Sequence, residues 1–329
     1  MTHISVIGAG AWGTALAQTY AMAGHHVTLW AREEKLAQAM IQDGKNNAYL
    51  PQITLAPNIN ITNDLSIAVQ ADVLLNVIPA QYLRANLQQL APLLRDKQPV
   101  VICAKGIEIS SHHLLSDVFS EICPKASCAI LSGPNFALDI ASGKPSAATL
   151  AAPEDIGSFL QSALSSKNLR LYATTDMVGT QIAGAIKNVI AIAAGICHGL
   201  EFGDSARAAL VTRGIAEIAR LSVALGGQRD TLLGQCGVGD LMLTCSSLQS
   251  RNFSFGVALA SGKSPQDILA ARTSVTEGVT TAKAARSLAH DNKLEMPIVE
   301  SVYACIYEGL PVLDAVSNIL NRPTKNEGA

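Results

Sequence analysis

No run of lysines or arginines interrupts these 329 residues. Basic and acidic side chains nearly balance, 24 against 26 for a formal charge of −2, so the electrostatic footprint of a nucleic-acid binder is missing. There is no C-x-x-C pair among the cysteines, which stand singly at Cys103, Cys123, Cys128, Cys197, Cys236, Cys245 and Cys305. Reduced thiols in a cytoplasmic protein are the plain expectation for an odd, scattered set. The opening MTHISVIG enters a strand at once without a basic n-region, so no signal peptide is expected. His25–His26 and His112–His113 lack partners at metal-ligand spacing, and no other constellation suggests a metal. The most apolar stretch, QIAGAIKNVIAIAAGI (Gln181–Ile196), is too short to span a bilayer and carries Lys187 near its middle. A buried helix is expected there, not a membrane span. Repeats and low-complexity segments are absent too, and only the tail NRPTKNEGA reads as frayed.

What is present begins with ISVIGAGAWGTALA. Ile4, Val6 and Ile7 suit a buried strand, and from Thr14 the residues are helix formers, with Gly24 a natural stop before a second strand at His26–Trp30. Strand, glycine turn, helix and strand within about thirty residues is the setting of a dinucleotide-binding fingerprint. Gly8 permits the sharp turn, Gly10 lets backbone approach a pyrophosphate, and Gly13 lets the helix lie close on the sheet. First-turn N–H groups then face the anion, helped by the helix dipole. The second strand ends TLWAREEK: Trp30 holds the position where an NAD site usually has an acid, and Arg32 follows. That pattern favours NADP(H) with NAD(H) tolerated, unless Arg32 is a solvated surface charge.

Further strand-like runs occur at Val73–Ile78, Val100–Cys103, Ser127–Leu131 and Ala147–Leu150, with helical segments at Gln81–Leu94 and Leu114–Ser120. The alternation implies a doubly wound, Rossmann-type parallel sheet with right-handed crossovers. From about Asp176 the chain turns to alanine-, leucine- and isoleucine-rich helical stretches. An α/β domain over 1–178 followed by an all-helical domain over 179–329 is the economical architecture, and 49% hydrophobic residues suffice for both cores. Ligands of such sheets bind beyond the carboxyl ends of the strands. The loops NVIPAQ, CAKGIE and LSGPNFA all lie there, placing Lys105 where a nicotinamide and a small anionic substrate would meet. Gly133, Pro134 and Asn135 form a tight loop at the same edge.

Lys187 is the odd residue of the second half, flanked by Ile182, Ile186, Val189, Ile190 and Ile192. A buried ammonium must be paired or lower its pKa, and a lysine lowered from about 10.4 toward 7–8 is a competent general base. The other reading has its head snorkelling to the surface. In GVGDLMLTCSSLQSRNFSFG, Asp240 either orients Lys187 or caps a helix. Ser250, Arg251 and Asn252 precede a helix, so that hydroxyl, guanidinium, amide and helix N-terminus suit a phosphate dianion, or else form a surface cap.

Taken in order, GAGAWGTALA, CAKGIE, LSGPNFA, AIKNVIAIAAG, TRGIAEIARL, GVGDLMLTCSS, SRNFSFG and TEGVTTA make the chain resemble the bacterial NAD(P)-dependent glycerol-3-phosphate dehydrogenases over nearly its whole length. The resemblance implies interconversion of sn-glycerol 3-phosphate and dihydroxyacetone phosphate, usually in the reducing direction to supply glycerophospholipid synthesis. It implies Lys187 as the proton-accepting base and Lys105, Gly133, Asn135, Asp240, Ser250, Arg251 and Asn252 as substrate contacts. On the cofactor side it implies Ala11, Trp12, Arg32, Lys105, Ala137, Arg251, Val275 and Glu277 beside the glycines. Asn135 stands where the motif often has Ser or Thr, and Asp139 where Glu is common. Members of the family are commonly homodimers.

Two other readings stay open at this stage. A related two-domain dehydrogenase acting on a hydroxyacyl thioester or a sugar acid phosphate has the same build. A nucleotide-binding scaffold without turnover explains the glycine turn but leaves Lys187, Asp240 and the anion cluster without a purpose.

Overall fold

The structure is a computed structural model describing residues 1–272 and 275–323. Among these, the strands in chain order are β1 (His3–Ile7), β2 (His26–Trp30), β3 (Lys45–Asn46), β4 (Leu50–Thr54), β5 (Ile59–Thr62), β6 (Val73–Asn76), β7 (Pro99–Ile102), β8 (Ser127–Ser132), β9 (Ser146–Ala151) and β10 (Leu169–Thr174). Eight of them form one sheet in the order β10-β9-β8-β7-β6-β1-β2-β5, and β3 and β4 make a small antiparallel ribbon. Helices cover both faces, so the inner strands β6 (VLLN) and β7 (PVVI) are apolar runs instead of alternating ones. The edge strand β10 alternates, with Leu169 and Leu171 inside and Arg170 and Tyr172 outside. The chain leaves β1 toward β2 and β5 on one side and returns to β6 on the other. The sheet's switch point therefore lies between β1 and β6.

The expected all-parallel sheet needs one correction: β9 runs antiparallel to β8. The segment joining them holds only the five-residue helix Ala137–Ala141. Such a helix is about 8 Å long, whereas a parallel return along a six-residue strand needs about 20 Å. The chain turns back instead. From β9 to β10 the eleven-residue helix Glu154–Leu164 makes the return, and that pair is parallel.

After Thr174 the sheet ends and the central helix, Met177–Gly199, begins. Asp176 caps it, one carboxylate oxygen accepting from Gly179 N at 2.8 Å and the other from Gln228 N at 2.8 Å. The helix is longer than the apolar stretch anticipated, and in length and composition it suffices for a membrane span. Yet 89% of its apolar window is buried inside the protein. Helices Gly203–Ala224, Arg251–Ala260 and Glu277–Asp291 pack round it, which is why its apolar residues face every direction. The tightest contact is with Arg251–Ala260. A Cβ on Gly195 would lie 2.0 Å from the Phe253 carbonyl oxygen, and one on Gly256 would lie 2.0 Å from that of Ile192. The two helices touch backbone to backbone. Separate apolar cores fill the two faces of the sheet and the surroundings of the central helix. Residues 324–329 of the tail lie outside the described residues.

Candidate active site

Strand register sets one edge of the molecule. Ile7 pairs with Asn76, Asn76 with Ile102 and Ile102 with Ile130, so the strands end level and their following loops form a single rim. Gly8 stands on this rim at the switch point with φ +119°, a conformation that side chains disfavour, and its N–H donates to Trp30 O at 3.1 Å. A Cβ on Gly13 would sit 1.8 Å from the Gly8 carbonyl oxygen, so only glycine lets the helix Ala11–Met22 lie this close to β1. Gly10, at the N-cap of that helix, has nothing within 4 Å of where its Cβ would be. Beside it the indole Nε1 of Trp12 is buried without a hydrogen-bond partner among the described residues. A tight turn, an open face at Gly10 and an unsatisfied donor fit a bound pyrophosphate and its sugars.

Trp30 is part of the core, 4% exposed, its indole N–H donating to Asn63 O at 3.0 Å. It packs against one face of the sheet with Ile7 and Leu74. Arg32 extends from the strand tip, largely exposed and paired with the equally exposed Glu33 at 3.2 Å. Such a pair adds little to stability and leaves the guanidinium easily drawn to another anion.

The centre of the site is a three-residue charge cluster. Lys187 projects from the middle of the central helix and is 6% exposed. Its Nζ donates to Asp240 Oδ1 at 2.8 Å and to Thr244 Oγ1 at 2.7 Å. Asp240 opens the short helix Asp240–Thr244, but its carboxylate does not cap it. The second oxygen, Oδ2, takes the Lys105 ammonium at 2.5 Å, and Lys105 also donates to the Gly133 carbonyl at 3.0 Å. Asp240 thus orients both lysines and ties the helical part to the β7 and β8 loops. Burial brings the Lys187 ammonium down to about 8; the Asp240 carboxylate opposes this and the Lys105 charge reinforces it. Thr244 was not singled out in the sequence. Four residues past Asp240, it lies on the same helix face, which is the signal that would have found it.

The remaining site residues are brought together unevenly. Gly133 packs so closely that a Cβ would come within 2.7 Å of Ala148 Cα. Asn135 donates to Ala147 O at 2.9 Å, while its buried Oδ1 has no partner among the described residues. The loop's backbone turns inward there, Asn135 N–H donating to Gly133 O at 3.0 Å. Ala137 opens the short helix after that loop. Ser250 is the N-cap of helix Arg251–Ala260, accepting from Phe253 N at 3.2 Å. Asn252 points inward, donating to Asn188 Oδ1 at 2.8 Å and accepting from Gly278 N at 2.9 Å. The expected meeting of hydroxyl, guanidinium and amide on one anion is therefore only partly prearranged. Arg251 is exposed, and its guanidinium makes no hydrogen bond or ion pair to another described residue. Val275 is 43% exposed. Glu277 begins the helix Glu277–Asp291; burial pushes its carboxyl up, and the charges of Arg251, Lys105 and Lys187 pull it back.

A glycine turn at a switch point and a buried amine held by a carboxylate across the rim define a dehydrogenase built from a nucleotide-binding sheet and a helical part. Residues 3–156 match the family model for the NAD-dependent glycerol-3-phosphate dehydrogenase N-terminus, and residues 176–317 match that for its C-terminus. The chain is 49% identical over 325 residues to a glycerol-3-phosphate dehydrogenase, NAD(P)+, of Parvibaculum lavamentivorans, covering 98% of each. It is 49% identical over 327 residues to one from Maricaulis maris, covering 99% of this chain and 98% of that one. A crystal structure of glycerol-3-phosphate dehydrogenase from Coxiella burnetii superposes with a TM-score of 0.93 at 34% identity, over 98% of this chain and 99% of that one. This chain belongs to the NAD-dependent glycerol-3-phosphate dehydrogenase family.

Proposed function

We propose that the protein interconverts sn-glycerol 3-phosphate and dihydroxyacetone phosphate with NAD(P)(H). The observation that carries this reading is Lys187, buried at the strand rim between Asp240 and Thr244 with its ammonium brought down to about 8. When bound, the nicotinamide supplies or accepts the hydride. As a neutral amine Lys187 takes the substrate's hydroxyl proton, and as an ammonium it returns a proton to that oxygen in reduction. Asp240 keeps Lys187 aimed, and the Lys105 ammonium adds positive potential where the oxygen gains charge.

Arg251 and the first-turn N–H groups of its helix hold the phosphate. Ser250 retains its hydroxyl proton for the same anion and Asn252 its second amide hydrogen, since each spends only part of its capacity inside the protein. Asn135 Oδ1 and the Gly133 loop meet the substrate's polar end. Gly8, Gly10, Ala11, Trp12 and Gly13 cradle the pyrophosphate, with Arg32, Ala137, Val275 and Glu277 completing the cofactor site. Arg32 supports a preference for NADP(H), because its exposed pair with Glu33 yields readily to a 2′-phosphate. The division into a nucleotide-binding part over 1–178 and a helical part over 179–329 is supported by the sheet ending at Thr174 and the central helix starting at Met177, and both parts contribute to the cofactor and substrate sites. We further infer a cytoplasmic homodimer working in the reducing direction for glycerophospholipid synthesis; the seven buried, unpaired thiols support a reducing compartment.

The test is loss of reduced-nicotinamide absorbance with NADPH and with NADH, across dihydroxyacetone phosphate, a ketoacyl thioester and a keto sugar acid phosphate. Turnover confined to the triose phosphate supports the proposal. Preference for either other substrate, or tight NADPH binding with no turnover at all, overturns it.

A further inference from the structure

Lys105 sits on a loop, yet the loop is gripped. Gly106 follows it and presses on the first residue of helix Ala80–Leu90, where a Cβ would meet Ala80 Cβ at 2.7 Å. Gln81, the next residue of that helix, clasps the loop on both sides of Glu108. Its Nε2 donates to Ile107 O at 2.8 Å, and its Oε1 accepts from Ile109 N at 3.1 Å. Arg84 lies one turn on, on the same face of the helix. Its guanidinium forks onto Glu108, Nε to Oε1 and Nη2 to Oε2, both at 2.9 Å. The other edge of the fork meets Glu121 at 2.8 and 2.9 Å. Glu108 is 5% exposed, and Ser111 Oγ donates to it at 2.5 Å. The same helix starts just after Ile78, whose side chain reaches to 3.1 Å of where a Cβ on Gly8 would be.

A lysine carries its ammonium on a four-carbon stem, so the placement of Nζ depends on how firmly its Cα is held. Loops at strand tips are the mobile parts of such folds. Here polar bonds supply the stiffness, and none of the groups that make them reaches Lys105 Nζ itself. We propose that Gln81 and Arg84 are positioning residues for Lys105: by clasping Ile107, Glu108 and Ile109 they keep its ammonium between Asp240 and Gly133. The proposal rests on the role given to Lys105 above.

The experiment is a double-mutant cycle of Gln81→Ala with Lys105→Ala, repeated with Arg84→Lys in place of Gln81→Ala. It reads kcat for dihydroxyacetone phosphate, the Kd of NADPH and the thermal midpoint. Gln81→Ala alone should lower kcat about tenfold while NADPH affinity stays within about twofold. In the Lys105→Ala background it should cost nothing further, because the group it positions is gone. Equal losses in both backgrounds, or no loss in the native background from either variant, overturn the clasp. Should Lys105→Ala by itself leave turnover intact, the role of Lys105 fails and takes the clasp with it. A crippled Lys105→Ala enzyme with a persistent Gln81 effect overturns the clasp alone.

Discussion

Asp240 stands between two ammonium groups, one oxygen 2.8 Å from Lys187 Nζ and the other 2.5 Å from Lys105 Nζ. One negative charge set against two positive ones leaves the cluster with a surplus. The surplus is relieved where desolvation is greatest, at Lys187, whose side chain is 8% exposed against 17% for Lys105. That inequality singles out Lys187 as the group for the proton transfer proposed above.

Replacing Lys187 by alanine should reduce kcat by about 10²- to 10⁴-fold, the range for loss of a general acid–base, with NADPH affinity little altered. The native enzyme should oxidise glycerol 3-phosphate faster as pH rises through about 8, since the base is the neutral amine. Reduction should follow the opposite limb, because there the ammonium is required. Initial rates in both directions over a pH series check this, and parallel limbs would remove Lys187 from proton transfer.

Asp240→Asn should harm both stability and the pH profile. Breaking a buried ion pair leaves uncompensated charge and costs about 3–5 kcal/mol, read as a lower urea midpoint. The carboxylate raises the Lys187 pKa, so its loss should move the oxidation profile to lower pH, below about 8. A profile that stays in place would mean that the carboxylate does not govern the amine.

Arg251→Ala should act mainly on the phosphate. Loss of a charge-assisted hydrogen bond worth about 1.5–3 kcal/mol raises KM for dihydroxyacetone phosphate by about 10- to 100-fold. The slow reduction of unphosphorylated dihydroxyacetone should suffer far less. Equal damage to both substrates places Arg251 elsewhere in the mechanism.

Glu217 governs a different property. Buried to 1% exposure, it accepts from Ile298 N at 2.8 Å and Val299 N at 3.2 Å, fastening the start of helix Pro297–Tyr303. Burial pushes its carboxyl up to about 7, against the pull of those N–H groups and of Arg220 and Arg322. A raised carboxyl makes the folded state hold a proton that the unfolded chain releases. Its contribution is complete below about 4.5 and disappears as pH climbs through about 7, amounting to at most about 3 kcal/mol. Denaturant midpoints for Glu217→Gln should therefore fall less between pH 5 and pH 8 than those of the native protein. Identical slopes would show that Glu217 is already ionised throughout.

Much of this was legible in the residues, for reasons that are physical. Gly8 and Gly13 announced the turn because glycine suits the positive φ of the one and alone permits the sub-contact approach of the other, while Gly10 leaves an open face between them. Lys187 stood out because its helix offers no polar face, but the choice between a buried and a snorkelling head was made only by the fold, which leaves it 6% exposed. The edge strands β5 and β10 escaped notice, as INIT and LRLYAT alternate or mix polar with apolar residues and lack the long apolar run of an inner strand. The reversal at β9 depends on the length of a connecting helix, and no local pattern of apolar residues encodes strand direction. Asp240 was visible only as a choice between orienting a lysine and capping a helix. The fold decides it by bringing Lys187 Nζ to the carboxylate at 2.8 Å and leaving the helix uncapped by it, and adds Lys105 from 135 positions away in the chain. Ser250 and Asn252 read as ligands on sight, but their inward bonds to Phe253, Asn188 and Gly278 depend on how three helices meet.

The bare contact of Gly195 against Phe253 and of Gly256 against Ile192 leaves the two helices no room to slide or roll. One carries Lys187 and the other begins at Arg251. Under the proposed reading, in which Arg251 holds the phosphate and Lys187 the reacting hydroxyl, this contact fixes how far apart the two main-chain segments that bear the substrate's ends can stand.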